Sequence, residues 1–121
     1  MDRGEIYACV EKVLEGQGFE VYRDSIERGV SGLSHGFHFV AKKGVCSLII
    51  ELVDTPTDLL LSLAKIYDVR GFTSILLVKE GVLATLTPSI QTFGVNNIIS
   101  FKTLEELEVK LKRALGAQNL T

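Results

Sequence analysis

An α/β fold, with a mixed central sheet flanked by helices, is the class this sequence predicts, and three observations predict it. Apolar residues at helical spacing open and close the chain. Three β-rich segments follow one another at hairpin distances, the mark of an antiparallel meander. In the second half, helical and strand-like segments alternate, so its strands run parallel across crossovers beside that meander.

Each element has its own signal. Residues 2–15 carry Ile6, Val10, Val13 and Leu14 on one helical face, with Asp2 as N-cap and Gly16 as stop. Residues 19–26 alternate and are rich in β-formers, and 27–32 form a loop. Residues 35–41 alternate again, Lys42-Lys43-Gly44 turns tightly, and 45–53 is a long β-branched run. Thr55 caps the next helix, with Pro56 at its first position and an acid three residues after the cap. Its stripe reads Leu60, Leu63, Ala64 and Tyr67, and Gly71 ends it. Residues 73–78 form a buried strand, Thr87-Pro88 caps a short helix ending at Gly94, and 97–101 form another buried strand. Thr103-Leu104-Glu105-Glu106 opens a last helix carrying Leu104, Leu107, Leu111 and Leu115.

A chain of 121 residues, 46% hydrophobic and 23% charged, is one domain's worth of globular sequence, and a single domain over 1–121 is expected. No apolar run is long enough to span a bilayer, and the Met1-Asp2-Arg3-Gly4-Glu5 start lacks a signal peptide's basic-then-apolar order. Cys9 and Cys46 have no CxxC spacing and read as small core hydrophobes of a reduced, cytoplasmic protein. A net charge of −2 excludes the strongly basic field of a nucleic-acid coat, leaving one small patch from Arg23, Arg28, Lys42 and Lys43.

Few residues carry chemistry. Glu51 stands in an otherwise apolar strand, where a carboxylate must find a partner. His35 and His38 are an odd step apart, so alternation sends them to opposite faces; His38 shares the Glu51 face and His35 anchors a loop. Lys65 reads as solvated, on a polar side of its helix with Ser62 and Asp58, and Asp54 as part of the helix-entry turn. The loop from Gly29 to Gly32 is no Walker loop, since no Gly-Lys-Ser/Thr follows.

Gly18-Phe19-Glu20-Val21 after the first helix, the glycine-then-histidine approach from Ser31 to Val40, and Glu51 closing the third strand form a recognisable series. With the element order over 4–101, they resemble the restriction-endonuclease-like, or PD-(D/E)XK, nuclease superfamily in its Mrr-like and archaeal form. That resemblance implies a restriction-endonuclease-like fold and a site in which an Asp and a Glu hold Mg²⁺, a hard ion that takes oxygen ligands. It also implies a Lys two residues after the Glu. By position, Glu51 is the family's acid and the metal ligand of an active nuclease, and Glu5 an outer-shell acid on the first helix. His38 falls where the family has its Asp, and Val53 where it has its Lys. Imidazole is a poor Mg²⁺ ligand and valine carries no charge, so the site reads as degenerate. The lysine migrates in this superfamily, and Lys65 is the helical candidate.

The expected function is therefore a non-catalytic binding or assembly module of nuclease descent, working with a nucleic-acid enzyme and needing no cofactor. The alternative is a Mg²⁺-dependent DNA or RNA endonuclease with relocated residues Glu5, His38, Glu51 and Lys65. The partners expected are a second copy, in a homodimer, and a protein of nucleic-acid metabolism; nucleic acid itself has weaker support from the charge, and a membrane none. Self-association is expected because Leu59, Leu61 and Ile66 lie outside the stripe of the second helix.

Overall fold

The computed structural model describes residues 1–82 and 97–119, with side chains as far as 116. The short helix expected between Thr87 and Gly94 lies outside the described residues. Helix α1 (Arg3–Gly16) precedes β1 (Glu20–Arg28), β2 (Ser34–Lys43) and β3 (Cys46–Val53). Helix α2 (Pro56–Asp68), β4 (Thr73–Lys79), β5 (Asn97–Phe101) and α3 (Leu104–Asn119) follow.

The strands form one sheet in chain order, β1-β2-β3-β4-β5. The first three pair antiparallel, and β3–β4 and β4–β5 pair parallel. This is the predicted α/β class: a mixed five-stranded sheet with helices on both faces. One core joins α1 and α3 to the sheet through Val10, Leu14, Phe39, Leu48, Ile50, Leu77, Leu107 and Leu111. The other packs Leu59, Leu63 and Ile66 of α2 on Phe37, Val40, Ile49, Val53 and Leu76. Strand β3 is central and covered on both faces, which is why its apolar run does not alternate.

Caps hold the helix starts. The Asp2 and Glu5 side chains satisfy each other's backbone N–H groups, Thr55 Oγ1 accepts from Asp58 N–H, and Thr103 Oγ1 accepts from Glu106 N–H. Among the described residues, no helix is long and apolar enough to cross a membrane.

One reading of the pattern is corrected. The buried face of α2 is Leu59, Ser62, Leu63 and Ile66, while Leu60, Ala64 and Tyr67 are exposed. Two faces of the helix are apolar, and the one turned inward is the one that contains a serine. Leu59 and Ile66, expected outside the core, are inside it; Leu61 remains outside.

Candidate functional site

The site lies where β2 and β3 stop pairing. Their ladder runs from Lys43↔Cys46 to Phe39↔Ile50, and one step further stand His38 and Glu51. The same level is irregular in β1. Asp24 and His38 form the step skipped within the β1–β2 register, and Asp24 has a φ of +49°, a left-handed conformation that Asp adopts more readily than most residues. Phe37 and Phe39 should share a face, yet Phe37 enters the α2 core and Phe39 the opposite one.

Side chains take over the backbone's unpaired groups there. Glu51 is 1% exposed and both its oxygens are engaged. Oε1 accepts from the His38 backbone N–H at 3.2 Å and from Lys65 Nζ at 3.2 Å. Oε2 lies 2.9 Å from His38 Nδ1 and accepts from Ser62 Oγ at 3.4 Å. Lys65 also donates to the Gly36 carbonyl and sits over the Phe37 ring. The expectation of a solvated Lys65 is thereby corrected: with α2 turned to bury Ser62, its neighbour three residues on reaches over the place where β2 and β3 part, toward Gly36 and Glu51.

Arginine 3 was not singled out by the sequence and joins the cluster from α1. Its Nη2 donates to Asp54 Oδ2 at 2.8 Å, and its Nη1 lies 3.2 Å from His38 Nε2. A guanidinium only donates, so Nε2 accepts, and a neutral ring then carries its proton on Nδ1, 2.9 Å from Glu51 Oε2. The Leu52 N–H is 3.0 Å from the same Nδ1 and competes for it. The carboxylate decides in favour of the Nδ1–H tautomer, since a bare Nδ1 would set a lone pair against Glu51. Tyr7 closes the α1 side edge-on to His38 and donates to Asp24 Oδ1. Burial, with that bond, pushes the Tyr7 phenol up.

The four residues singled out as a catalytic set are thus not all assembled. His38, Glu51 and Lys65 meet; Glu5 stays exposed at the α1 cap, its Oε1 taking the Asp2 N–H at 3.0 Å. In the first turn of a helix a Glu three residues after an Asp N-cap is better used by the cap. A cavity of about 200 Å³ opens beside the cluster, lined by Arg3, His38, Glu51, Asp58, Ser62 and Lys65.

Mg²⁺ would need several free oxygens here. Both Glu51 oxygens are occupied by donors, and Lys65 and Arg3 place positive charge at the cavity wall. Among the described residues, no three His, Cys, Asp or Glu side chains stand close enough to share a metal ion. The donor set does not fit the cation that the family resemblance implies.

A second cluster fastens the β1–β2 loop to the end of α2. Asp68 accepts from Ser31 Oγ at 2.6 Å and from Ser31 N–H at 3.0 Å, and lies 2.6 Å from His35 Nε2. The Ser31 hydroxyl, then His35, hold the Asp68 carboxyl down at about 2. His35 is the loop anchor the sequence suggested, and it stands apart from His38. Of the basic residues near the first hairpins, Arg23 pairs with Glu11 and Lys43 donates to the Gln17 carbonyl.

No family model matches the chain, and no curated protein matches it. Six chains of solved structures do match. One of them is the crystal structure of a protein of unknown function, AF1548, with a TM-score of 0.55 and 19% sequence identity. The match covers 79% of this chain and 58% of that one, so this chain spans a little over half the length of that protein. A likeness at that identity shows a shared α/β fold. It adds nothing on chemistry.

Proposed function

We propose that this chain is a non-catalytic binding or assembly module with a restriction-endonuclease-like fold, in which an ancestral metal site has become an internal ion-pair network. In this reading it acts in the cytoplasm as a homodimer, beside a protein partner of nucleic-acid metabolism. One observation carries the reading: the Glu51 carboxylate, in the position of the family acid, is spent on Lys65, His38 and Ser62. To ligand Mg²⁺ it would have to give up those bonds and bring a dication beside an ammonium and a guanidinium. The test is a cleavage assay on single- and double-stranded DNA and RNA with Mg²⁺ or Mn²⁺. No cleavage above background is expected, and no metal-dependent rise in melting temperature.

One feature favours the alternative, a Mg²⁺-dependent endonuclease: Lys65 brings an ammonium from the following helix to 3.2 Å from Glu51. On that reading Glu51 would be the residue to hold Mg²⁺, with Glu5, His38 and Lys65 completing the set. Metal-dependent cleavage that is lost in both Glu51→Ala and Lys65→Met would establish it and displace the first reading.

A further inference from the structure

Residues 29–33, between β1 and β2, form a closed unit of their own. The Gly29 N–H donates to the Leu33 carbonyl at 2.7 Å, the Gly32 N–H to the Gly29 carbonyl at 3.0 Å, and the Leu33 N–H to Ser31 Oγ at 3.3 Å. Gly32, at a φ of +92°, makes the turn that lets these bonds close. The two remaining N–H groups leave the loop, and both go to the last residue of α2. Val30 donates to the Asp68 carbonyl at 2.7 Å and Ser31 to Asp68 Oδ1 at 3.0 Å, while the Ser31 hydroxyl and His35 Nε2 reach Asp68 Oδ2. Gly29 is buried against the same carboxylate. No apolar side chain anchors the loop, since residues 30–34 are all exposed, Val30 at 65% and Leu33 at 66%.

Asp68 is out of place by local rules. A carboxylate in the last turn of a helix meets the negative end of the dipole, where a base is favoured. The donors of the loop offset that cost, so the acid and the loop hold each other. We infer that residues 29–33 are a strap that Asp68 holds shut, and that the strap swings away from α2 as one body with its internal bonds intact. The inference goes beyond the reading above and does not depend on it. Parting the strap from Asp68 exposes no apolar core and breaks no bond between strands, so it opens at far lower cost than the sheet. The strap also carries one wall of a groove of about 550 Å³, with Leu33 on the strap and Leu61 and Ala64 on α2. Closure at Asp68 is what forms that groove.

Amide hydrogen exchange, resolved by residue with NMR, tests this on the parent chain and on Asp68→Ala. Alanine keeps the backbone carbonyl that Val30 uses and favours a helix, so only the side-chain bonds are removed. In the parent chain Val30 and Ser31 should share one protection factor. In Asp68→Ala both should exchange about tenfold faster or more, as the loss of charge-assisted bonds requires. Gly29 and Gly32 should keep their protection, as should Val40 and Ile50 in the sheet, and the Leu61 methyl signals, two turns from the substitution, should shift as the Leu33 wall leaves. If Ser31 alone speeds up, the bonds to Asp68 are independent and there is no strap. If Gly29 and Gly32 speed up with Val30, the loop melts rather than swings. Unmoved Leu61 signals overturn the strap's hold on the groove. Should alanine cost the sheet its own protection, Asp68→Asn, which keeps one acceptor oxygen, gives the same comparison with a smaller rise.

Discussion

Replacing Lys65 by methionine keeps the length and apolar stem of the side chain and removes its charge. Glu51 then retains His38 and Ser62 but loses its ammonium, and the Gly36 carbonyl loses a donor. Stranding one partner of a fully buried ion pair costs about 3–5 kcal/mol. Lys65 is 27% exposed, so water screens one side of this pair, and the expected cost falls to about 2–3 kcal/mol. In a domain of this size that corresponds to a drop in Tm of roughly 10 °C. Glu51→Gln strands less, because Lys65 can turn to solvent, and should cost about 1–2 kcal/mol. The double variant Glu51→Leu/Lys65→Met leaves neither charge unpaired and should be more stable than Lys65→Met alone. Urea and thermal unfolding at neutral pH measure the parent chain and these three variants. If Lys65→Met lies within about 0.5 kcal/mol of the parent chain, the range of an ordinary surface substitution, the ammonium is not holding Glu51 and the network reading fails.

Three further outcomes are expected. The Asp68 carboxyl is held down from 3.8 to about 2, so the stability it contributes is complete above the unfolded value and is lost as pH falls between the two. The stability gap between the parent chain and Asp68→Asn, followed by urea unfolding, should therefore close over that interval; a constant gap would show that the Ser31 and His35 bonds do not act through the carboxylate. Gly29→Ala would put a Cβ 1.8 Å from Asp68 Oδ2 and 3.0 Å from the Asp68 carbonyl, so the loop must part from α2. It should cost about 1–3 kcal/mol and collapse most of the effect of a second substitution at Asp68, measured by the same unfolding curves. Long-range ¹H–¹⁵N correlation of the neutral His38 ring should show the Nδ1–H tautomer, and Nε2–H would mean that the Leu52 N–H, not Arg3, has the ring's lone pair.

Much of the fold was legible because local signals agreed with one another. Asp2, Thr55 and Thr103 announce their helices, and each does cap one. The long β-branched run of 45–53, apolar apart from Ser47 and Glu51, announces a strand, and β3 is the middle strand of five. The phase of α2 was not legible. Leu59, Ser62, Leu63 and Ile66 compete with Leu60, Leu63, Ala64 and Tyr67, and hydrophobicity favours the second set because the first contains a serine. Only the knowledge that a buried carboxylate waits opposite makes Ser62 an inward residue.

The same misreading explains what was missed at the site. Glu51 and His38 could be singled out because a carboxylate in an apolar strand needs a partner nearby. Lys65 looked solvated because its helix was turned by one residue, and the turn that buries Ser62 is what brings Lys65 to Glu51. Arg3 gave no signal, since an arginine at an exposed helix start is ordinary until Asp54 and His38 are known to lie beneath it. Glu5 was expected at the site by resemblance, but its cap to Asp2 is a local bond two residues of chain can always make, and it prevails over a distant cluster that has no free oxygen to share. Glu51 thus sets which way α2 faces. With Ser62 and Lys65 turned to the carboxylate, Leu60, Leu61 and Tyr67 have nowhere to go but outward. The exposed Leu60 and Tyr67 of α2 and the buried ion-pair network are two consequences of one helix rotation.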